Sequence, residues 1–222
     1  PGVVLKINDG EYLYVNGTLD AQGTEARPIV LTHRRDDAAL GDTFNDGDTL
    51  ANRYNWETLY LNDGSDTSVL RHVEIRYAGD NNGGYGGGGQ EALRLTTSNA
   101  VLENVRVRDS FSTGIRIQGG SMPTLADVDV RGSGGVPYYI DQASALDHTG
   151  LTGANNAIDG ILVDGGNLGG DRLYNNVVLP YYFTTDLTVD AGRILTLAPG
   201  TVLKFNDARF LMVNGTLDAQ GT

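Results

Sequence analysis

The sequence predicts an all-β fold: a right-handed parallel β-helix, that is, a solenoid with coils of about 23 residues and two loop insertions. Three observations predict it. Short segments alternate apolar and polar residues, apolar residues recur in columns about 23 residues apart, and a segment near the start of the sequence recurs near its end. No segment of useful length has the 3.6-residue periodicity of a helix.

The first strands are predicted from alternation and turn signals. In residues 3–7 the odd positions are apolar while Lys6 points the other way, and in residues 12–15 Leu13 and Val15 are expected to face inward. The turn signals Asn8-Asp9-Gly10 and Asn16-Gly17 separate these strands from each other and from the next one.

The middle of the chain carries the coil period. One column runs through Leu93, Ile115, Tyr138 and Ile161, at spacings of 22, 23 and 23 residues. A second column advances with the first, at spacings of 23 residues throughout, and consists of Val105, Val128, Leu151 and Tyr174. Since two columns share one period, each coil is expected to pair with the next at about 4.8 Å.

Two stretches interrupt the period. Residues 33–55 form a polar excursion between strands predicted at residues 28–32 and 55–61. The second is the glycine-rich stretch of residues 79–90, which is expected to be a loop extruded between strands. It explains why Val73 fits the second column at 32 residues before Val105.

The duplicated segment defines a longer repeat. Residues 1–24 read PGVVLKINDGEYLYVNGTLDAQGT and residues 199–222 read PGTVLKFNDARFLMVNGTLDAQGT, identical at 18 of 24 positions. The chain is therefore predicted to be a single β-helix segment over residues 1–222. It comprises one 198-residue repeat, residues 1–198, and the start of the next, residues 199–222, as the same coil one period along.

The run VLKINDGEYLYVNGTLDAQGTEARPIVLTHRRDD, followed by GDTFNDGD and a tryptophan strand, resembles a repeat module of large bacterial extracellular or surface proteins. Such modules are similar to right-handed parallel β-helices of the pectin-lyase-like class. The resemblance covers nearly the whole chain and is strongest at residues 1–61 and 187–222. It implies the fold and an extracellular or cell-surface location, and it implies no particular activity.

Composition excludes some partners. A net charge of −12 argues against binding to nucleic acid or to an anionic membrane surface, because both require a basic patch. No stretch approaches 18 consecutive apolar residues, so no membrane insertion is expected. Cysteine is absent, so the core and not disulfides must stabilise the fold.

An acidic loop within the first excursion is the candidate metal site. It offers six oxygen-bearing side chains around a glycine, as a Ca²⁺ ion with six to eight oxygen ligands requires. These are Asp36, Asp37, Asp42, Asn45, Asp46 and Asp48. The loop is not an EF-hand, because Arg53 stands where the closing Glu would be. The alternative is a solvated loop of Asx turns. No cofactor is expected to be required, and Ca²⁺ is the one candidate.

Asn16 and Asn214 each begin an Asn-Gly-Thr sequence, which is an acceptor for N-glycosylation and would make the chain a glycoprotein. Asn-Gly is also a favoured turn dipeptide, and the structural interpretation is preferred. Both sites fall at the same point of the duplicated segment, so sugar at these positions would recur at regular intervals.

No catalytic residues are predicted. Carboxylates and arginines share the outward positions of alternating strands, and the 23-residue period places Arg106 beside Asp129 and Arg108 near Arg131. Such cross-coil pairs are typical of a charged outer face. The alternative, in view of the fold, is a carbohydrate-binding or polysaccharide-cleaving β-helix, which would carry a groove of outward Tyr, Arg and Asp along one face.

The leading hypothesis is a structural repeat unit of an extracellular filament or of a long cell-surface protein such as an adhesin. Its expected partners are copies of itself or adjacent repeats, head to tail, with glycans as further candidates. Neither end of the sequence predicts an amphipathic helix that would cap the stack. The sequence leaves open whether repeats continue covalently or separate subunits stack.

Overall fold

The computed structural model describes residues 1–45, 47, 51–53, 55–79 and 90–221. Its regular structure in these ranges is β throughout, in short strands that pair in parallel with strands of the neighbouring coils. The prediction of an all-β, parallel solenoid is thereby confirmed.

The described residues form 25 strands of two to five residues. In chain order they are β1 (Val4–Ile7), β2 (Leu13–Val15), β3 (Asp20–Gln22), β4 (Ile29–His33), β5 (Leu59–Leu61), β6 (Val69–Arg71), β7 (Val73–Arg76), β8 (Leu93–Thr96), β9 (Val101–Glu103), β10 (Arg106–Arg108), β11 (Ile115–Gln118), β12 (Thr124–Ala126), β13 (Asp129–Arg131), β14 (Tyr138–Ile140), β15 (Asp147–Thr149), β16 (Thr152–Ala154), β17 (Ile161–Val163), β18 (Gly166–Asn167), β19 (Arg172–Tyr174), β20 (Tyr181–Phe183), β21 (Leu187–Val189), β22 (Ile194–Leu197), β23 (Leu203–Phe205), β24 (Leu211–Val213) and β25 (Thr216–Ala219).

Three sheets form the first part of the solenoid, and each coil contributes one strand to each sheet. The six-stranded sheet has the order β1-β4-β7-β10-β13-β16, the eight-stranded sheet β2-β5-β8-β11-β14-β17-β20-β23, and the five-stranded sheet β15-β12-β9-β6-β3. A solenoid of this kind buries its core along the axis between the sheets.

The predicted columns are the inward residues of this stack. Ile115 pairs with Leu93 and Tyr138, and Tyr138 pairs with Ile161, all of them fully buried. In the six-stranded sheet Arg106 pairs with Glu74, which puts Val105 beside Val73 of the preceding coil, as the 32-residue spacing predicted. The second column is buried as well.

The corners at both ends of the six-stranded sheet rely on a left-handed backbone. Asn104 (φ 54°) and Asp127 (φ 52°) hold the corner before it in successive coils, and Asp109 (φ 53°) lies at the corner after it. Asn and Asp tolerate this conformation best among residues with a Cβ, so the sequence supplies suitable corner residues at the coil period.

The cross-section changes after β17. The six-stranded sheet ends at β16 and the five-stranded sheet at β15, while the eight-stranded sheet continues to β23. Two new three-stranded sheets accompany it, with the orders β18-β21-β24 and β19-β22-β25. This change of cross-section was not predicted from the sequence.

Corresponding strands of the two copies of the duplicated segment consequently lie in different sheets. Each copy forms three short strands, β1 to β3 in residues 1–24 and β23 to β25 in residues 199–221. However, β1 belongs to the six-stranded sheet and its counterpart β23 to the eight-stranded sheet. The second copy thus has the same strand pattern as the first, but each of its strands joins a different sheet from its counterpart.

The first predicted insertion folds back onto the outer face of the six-stranded sheet. Thr32 points outward from β4 yet is fully buried, because the Asp36 carboxylate accepts its hydroxyl hydrogen at 2.8 Å and also pairs with Arg76 at 3.3 Å. Lys6 donates to Gly41 O at 2.7 Å. The second insertion, residues 79–90, lies outside the described residues except at its two ends.

Candidate functional site

The two end coils are the most distinctive surfaces of the chain. Strands β1, β2 and β3 pair with β4, β5 and β6 of the following coil and have no pairing on their other edge within the described ranges. Strands β23, β24 and β25 pair with β20, β21 and β22 of the preceding coil and are open on the opposite edge. Open edges of parallel strands are templates for further pairing.

Apolar side chains are exposed at both open edges. Leu5 is an inward residue of β1 but remains 41% exposed, whereas Leu31, its partner in the next coil, is 6% exposed. At the other end Val213 and Leu217 are 41% and 39% exposed. The core therefore reaches solvent at each end of the described stack.

Equivalent glycines of the two copies differ in the atoms that an added Cβ would meet, because among the described residues each copy has a neighbouring coil on one side only. A Cβ on Gly215 would lie 2.2 Å from Asp190 O of the preceding coil, whereas a Cβ on Gly17, its counterpart, would meet nothing within 4 Å. The reverse holds for the next glycine: a Cβ on Gly23 would lie 2.6 Å from His72 O, while Gly221 is free. The same coil thus needs one glycine against each neighbour.

The acidic loop is only partly described. Asp36 is buried in the contacts with Thr32 and Arg76, and Asp42 accepts backbone N–H groups from Phe44 at 3.0 Å and Gly47 at 3.1 Å, which is an Asx-turn arrangement. Asp37 is half-buried and Asn45 exposed, and Asp46 and Asp48 lie outside the described residues.

The calcium site stays a prediction. Among the described residues no group of three or more His, Asp or Glu side chains converges as a metal site would require. Asp36 in particular already has a cationic partner in Arg76.

Both sequon asparagines are exposed and follow a strand directly, Asn16 after β2 and Asn214 after β24. Asn16 Oδ1 accepts a hydrogen bond from Asn62 Nδ2 at 3.1 Å, which ties the turn to the next coil. Glycosylation at either residue stays a prediction.

The charged outer face of the six-stranded sheet has the predicted register. Arg106 pairs with Asp129 and Arg108 with Arg131 along the ladder. Asp129 forms an ion pair diagonally across the ladder with Arg108 at 2.7 Å and a second one along its own strand with Arg131 at 2.8 Å. Burial opposes ionisation of Asp129, but hydrogen bonds from Thr152 and Arg131 together with the Arg108 charge outweigh it, so its pKa is lowered.

The outer face of the eight-stranded sheet carries a ladder of aromatic and cationic side chains, hereafter the Tyr/Arg ladder. It consists, in spatial order, of Tyr14, Tyr60, Arg94, Arg116, Tyr139, Leu162, Tyr182 and Lys204. The Arg94 guanidinium lies 5.2 Å from the Tyr60 ring centroid and that of Arg116 lies 3.9 Å from Tyr139. Such cation–π contacts hold the ladder together.

The buried Glu91 carboxylate supports the ladder by pairing with both Arg94 and Arg116. Burial and a hydrogen bond to Asp164 raise the pKa of Tyr139 to about 12, so its hydroxyl stays protonated at neutral pH. The sequence reasoning missed the ladder as a unit. The ladder could have been found from the outward residue between two inward residues of each strand in this sheet. Tyr139 is an example, since its neighbour Tyr138 is buried in the core.

The described part of the chain contains no helix of the length and apolar character needed to cross a membrane. No family model matches the chain, and comparisons with curated proteins and with solved structures find no match either.

Proposed function

We propose that the chain is a structural repeat unit of an extracellular filament or of a long cell-surface protein such as an adhesin, joined end to end with neighbouring repeats. The observation that carries this proposal is the complementary pairing of two nearly identical coils. The first copy is paired only with the coil that follows it, and the second only with the coil that precedes it. One coil can therefore serve as the end of one repeat and the start of the next.

The glycines support a shared coil. Gly17 has no steric need for its missing Cβ in the first copy, but its counterpart Gly215 is pressed against the preceding coil. Gly221 is free, but its counterpart Gly23 is pressed against the following coil. Both glycines are required at once only when the coil lies between two neighbours, as it does inside an array.

The charges disfavour direct stacking of two whole copies. Placing residues 199–222 on residues 1–24 in register would set Lys204 opposite Lys6 and Asp218 opposite Asp20, and like charges directly opposite are destabilising. In the observed registers Lys204 pairs with Tyr182 and Asp218 with Thr196. On the other edge Lys6 pairs with Thr32. A shared coil thus avoids every one of these repulsions.

The junction follows from superposing the two copies. Leu5 of one repeat takes the place of Leu203 beside Tyr181 of the repeat before it, and Leu13 takes the place of Leu211 beside Leu187. Because β1 and β23 are then one strand, the eight-stranded sheet of each unit continues into the six-stranded sheet of the next. Successive repeats are related by a screw that advances one sheet around the axis.

The test is a lengthened chain in which residues 1–222 are followed directly by a second copy of residues 25–222. We expect one continuous rod about twice as long by electron microscopy and small-angle scattering. Backbone amides of residues 199–222 should exchange hydrogen far more slowly than in the single unit, because both edges of that coil are now paired.

The matched control joins residues 1–222 to a complete second copy of residues 1–222, which forces the two like-charged coils together. It should give a junction that proteases cleave and whose amides exchange rapidly. Equal protection of both junctions would overturn the shared coil, and a cleavable junction in both chains would overturn the repeat function itself.

The extracellular location rests on the resemblance of residues 1–61 and 187–222 to surface-protein modules. Protease treatment of intact cells of the source organism, followed by detection of the chain with an antibody, tests it. Digestion only after cell lysis would place the protein inside the cell and contradict this part of the proposal.

A second candidate function, binding of an extended polysaccharide, is favoured by the Tyr/Arg ladder. Aromatic rings and arginines that repeat at the strand spacing of about 4.8 Å offer stacking surfaces and hydrogen-bond donors along one line. Cleavage of a polysaccharide would also require that it first bind along this ladder.

Binding of neutral and acidic polysaccharides to the immobilised chain tests this second candidate. Tyr139→Ala and Tyr182→Ala should each weaken retention severalfold, while Arg131→Ala, on the other outer face, should leave it unchanged. Retention of no polysaccharide, and release of no product, would exclude both binding and cleavage.

A further inference from the structure

A cavity lies where the solenoid changes its cross-section. It separates the corner at residues 140–146, after β14, from β19 in the next coil, and it has a volume of about 150 Å³. In earlier coils this corner is held by a column of buried serines: Ser65 Oγ bonds Ser98 Oγ at 2.7 Å, and Ser121 Oγ accepts Ser98 N–H at 3.0 Å. The column ends at Ser144, because the next coil departs from the stack there.

Three residues that line the cavity each carry a buried oxygen without a hydrogen-bond partner among the residues that the structure describes. They are Ser144 Oγ, Gln142 Oε1 and Tyr174 Oη. Ser144 is 1% exposed and Tyr174 4% exposed. A buried polar atom left unpaired is costly, and native proteins rarely keep several at one place unless a bound molecule satisfies them.

The charged groups around the cavity are already engaged. Arg172 donates to the carbonyl oxygens of Ser144 at 2.6 Å and Gln142 at 2.8 Å. Asp141 accepts the N–H groups of Gly119 and Ser144, and Asp171 accepts that of Ile194. Their hydrogen-bonding atoms are therefore occupied by backbone groups, and the lining combines one positive with two negative side chains. Neither an anion nor a cation would meet charges of only the opposite sign, so the cavity suits a neutral ligand.

The rest of the lining is apolar and includes Ile140, Leu146, Val163 and Leu173. A cavity of this volume accommodates a six-membered ring. Burial raises the pKa of the Tyr174 phenol, so that this hydroxyl remains a donor at any physiological pH. Together with the serine hydroxyl and the amide oxygen, it offers a mixed set of donors and acceptors beside apolar walls.

We propose that this cavity binds a neutral, ring-sized polyhydroxyl compound, such as a cyclic polyol or a single pyranose, through Ser144, Gln142 and Tyr174. The ring's C–H faces pack against the aliphatic lining, and its hydroxyl groups pair with the three unpartnered oxygens. This site is separate from the end coils and from the Tyr/Arg ladder, and it does not depend on the repeat function.

The test is calorimetric titration of the 222-residue chain with myo-inositol and with methyl glucopyranoside. Cyclohexanol and glucuronate are the controls, since the first lacks the set of hydroxyls and the second is charged. We expect saturable one-to-one binding of at least one of the neutral polyols and no binding of the two controls.

Tyr174→Phe and Ser144→Ala should each weaken binding about tenfold or more, because a buried ligand hydroxyl loses its partner. Tyr174→Phe should also leave the thermal midpoint of the free protein unchanged or raise it, since it removes an unpaired buried hydroxyl. Tyr12→Phe, which lies outside both the cavity and the Tyr/Arg ladder and gives the residue found at the equivalent position 210, should change neither property.

Two outcomes would overturn the proposal. One is the absence of heat for both neutral polyols together with a crystal structure in which only water satisfies the three oxygens. The other is binding that Tyr174→Phe and Ser144→Ala both leave intact.

Discussion

The two copies of the duplicated segment present nearly one sequence in two settings. Both form three short strands with the same inward positions, and even the turn between the first two strands is kept, with φ 69° at Gly10 and φ 58° at Ala208. Yet corresponding strands belong to different sheets and are paired on opposite edges. Local sequence therefore sets strand length and the inward face, while the neighbouring coil determines the sheet that each strand joins.

The core position where the copies differ fits that interpretation. Phe205 stacks on Phe183 of the preceding coil, with ring centroids 4.8 Å apart and planes within 14°. Its counterpart Ile7 has no preceding coil in the described residues and pairs with His33 of the following one. The aromatic side chain thus occurs in the second copy, where the preceding coil provides a ring to stack on.

The largest expected difference concerns neighbouring leucines at the open N-terminal edge. Leu31→Ala should lower the free energy of unfolding by about 2–5 kcal/mol, because Leu31 is enclosed between coils. Leu5→Ala, the same substitution in the same column, should cost less than about 1 kcal/mol, because Leu5 is already 41% exposed. Urea unfolding of both variants measures the contrast.

In the lengthened chain Leu203, the counterpart of Leu5, gains a second neighbour, so Leu203→Ala should approach the cost of Leu31→Ala. Equal costs for Leu5→Ala and Leu31→Ala in the single unit would contradict the view that the first coil is half-packed.

A smaller and more local effect is expected from the paired glycines. Gly215→Ala should detach the C-terminal coil, since the new Cβ would meet backbone atoms of Asp190 at 2.2 Å and Arg193 at 2.4 Å. Gly17→Ala should be silent in the single unit. Hydrogen exchange of residues 203–219 is the appropriate measurement, because a terminal coil can open without global unfolding.

In the lengthened chain the shared coil is residues 199–222, so the position equivalent to Gly17 is Gly215. Gly215→Ala in that coil should open the junction between the two repeats. If Gly215→Ala exchanges as slowly as the wild type, the close contact with the preceding coil is not present in solution.

The coil period was predictable because inward residues recur where one coil covers the next. The columns through Leu93 and Val105 needed only hydrophobic spacing, and the charged ladder of Arg106 and Asp129 followed from the same period. The change of cross-section after β17 was not predictable, since short strands such as Gly166–Asn167 have no apolar pattern. The sheet that such a strand joins is determined by the neighbouring coil with which it pairs.

The candidate sites show the same division. The repeated sequence indicates that the end coils have open edges. That these edges face opposite ends of the stack followed only from the pairing partners of β1 and β23. The cavity was invisible in the sequence, because Ser144 continues the serine column and only the departure of the next coil leaves its hydroxyl unpaired. A cavity forms where side chains leave space between coils unfilled, and the spacing of residues along the sequence does not predict this.

The smallest expected effect distinguishes the two ends by pH. Burial lowers the pKa of His33 below 6.5 and outweighs the attraction of Asp9, 3.2 Å away, while His33 Nδ1 accepts the Arg35 N–H and so requires a neutral ring. Because the unfolded chain binds the proton more readily, this contribution to stability is complete above pH 6.5 and declines as the pH falls below it. Hydrogen exchange of the His148→Gln variant between pH 7.5 and 5.5, corrected for the intrinsic rate, should show β1 and β4 losing protection while β23 does not, since His148 contacts Tyr181 next to β23. His33→Gln added to this variant should remove the difference, whereas His148→Gln alone, which removes a second histidine with a lowered pKa far from β1, should not. A gain of protection in β1 at low pH would mean that the Asp9 attraction prevails over burial.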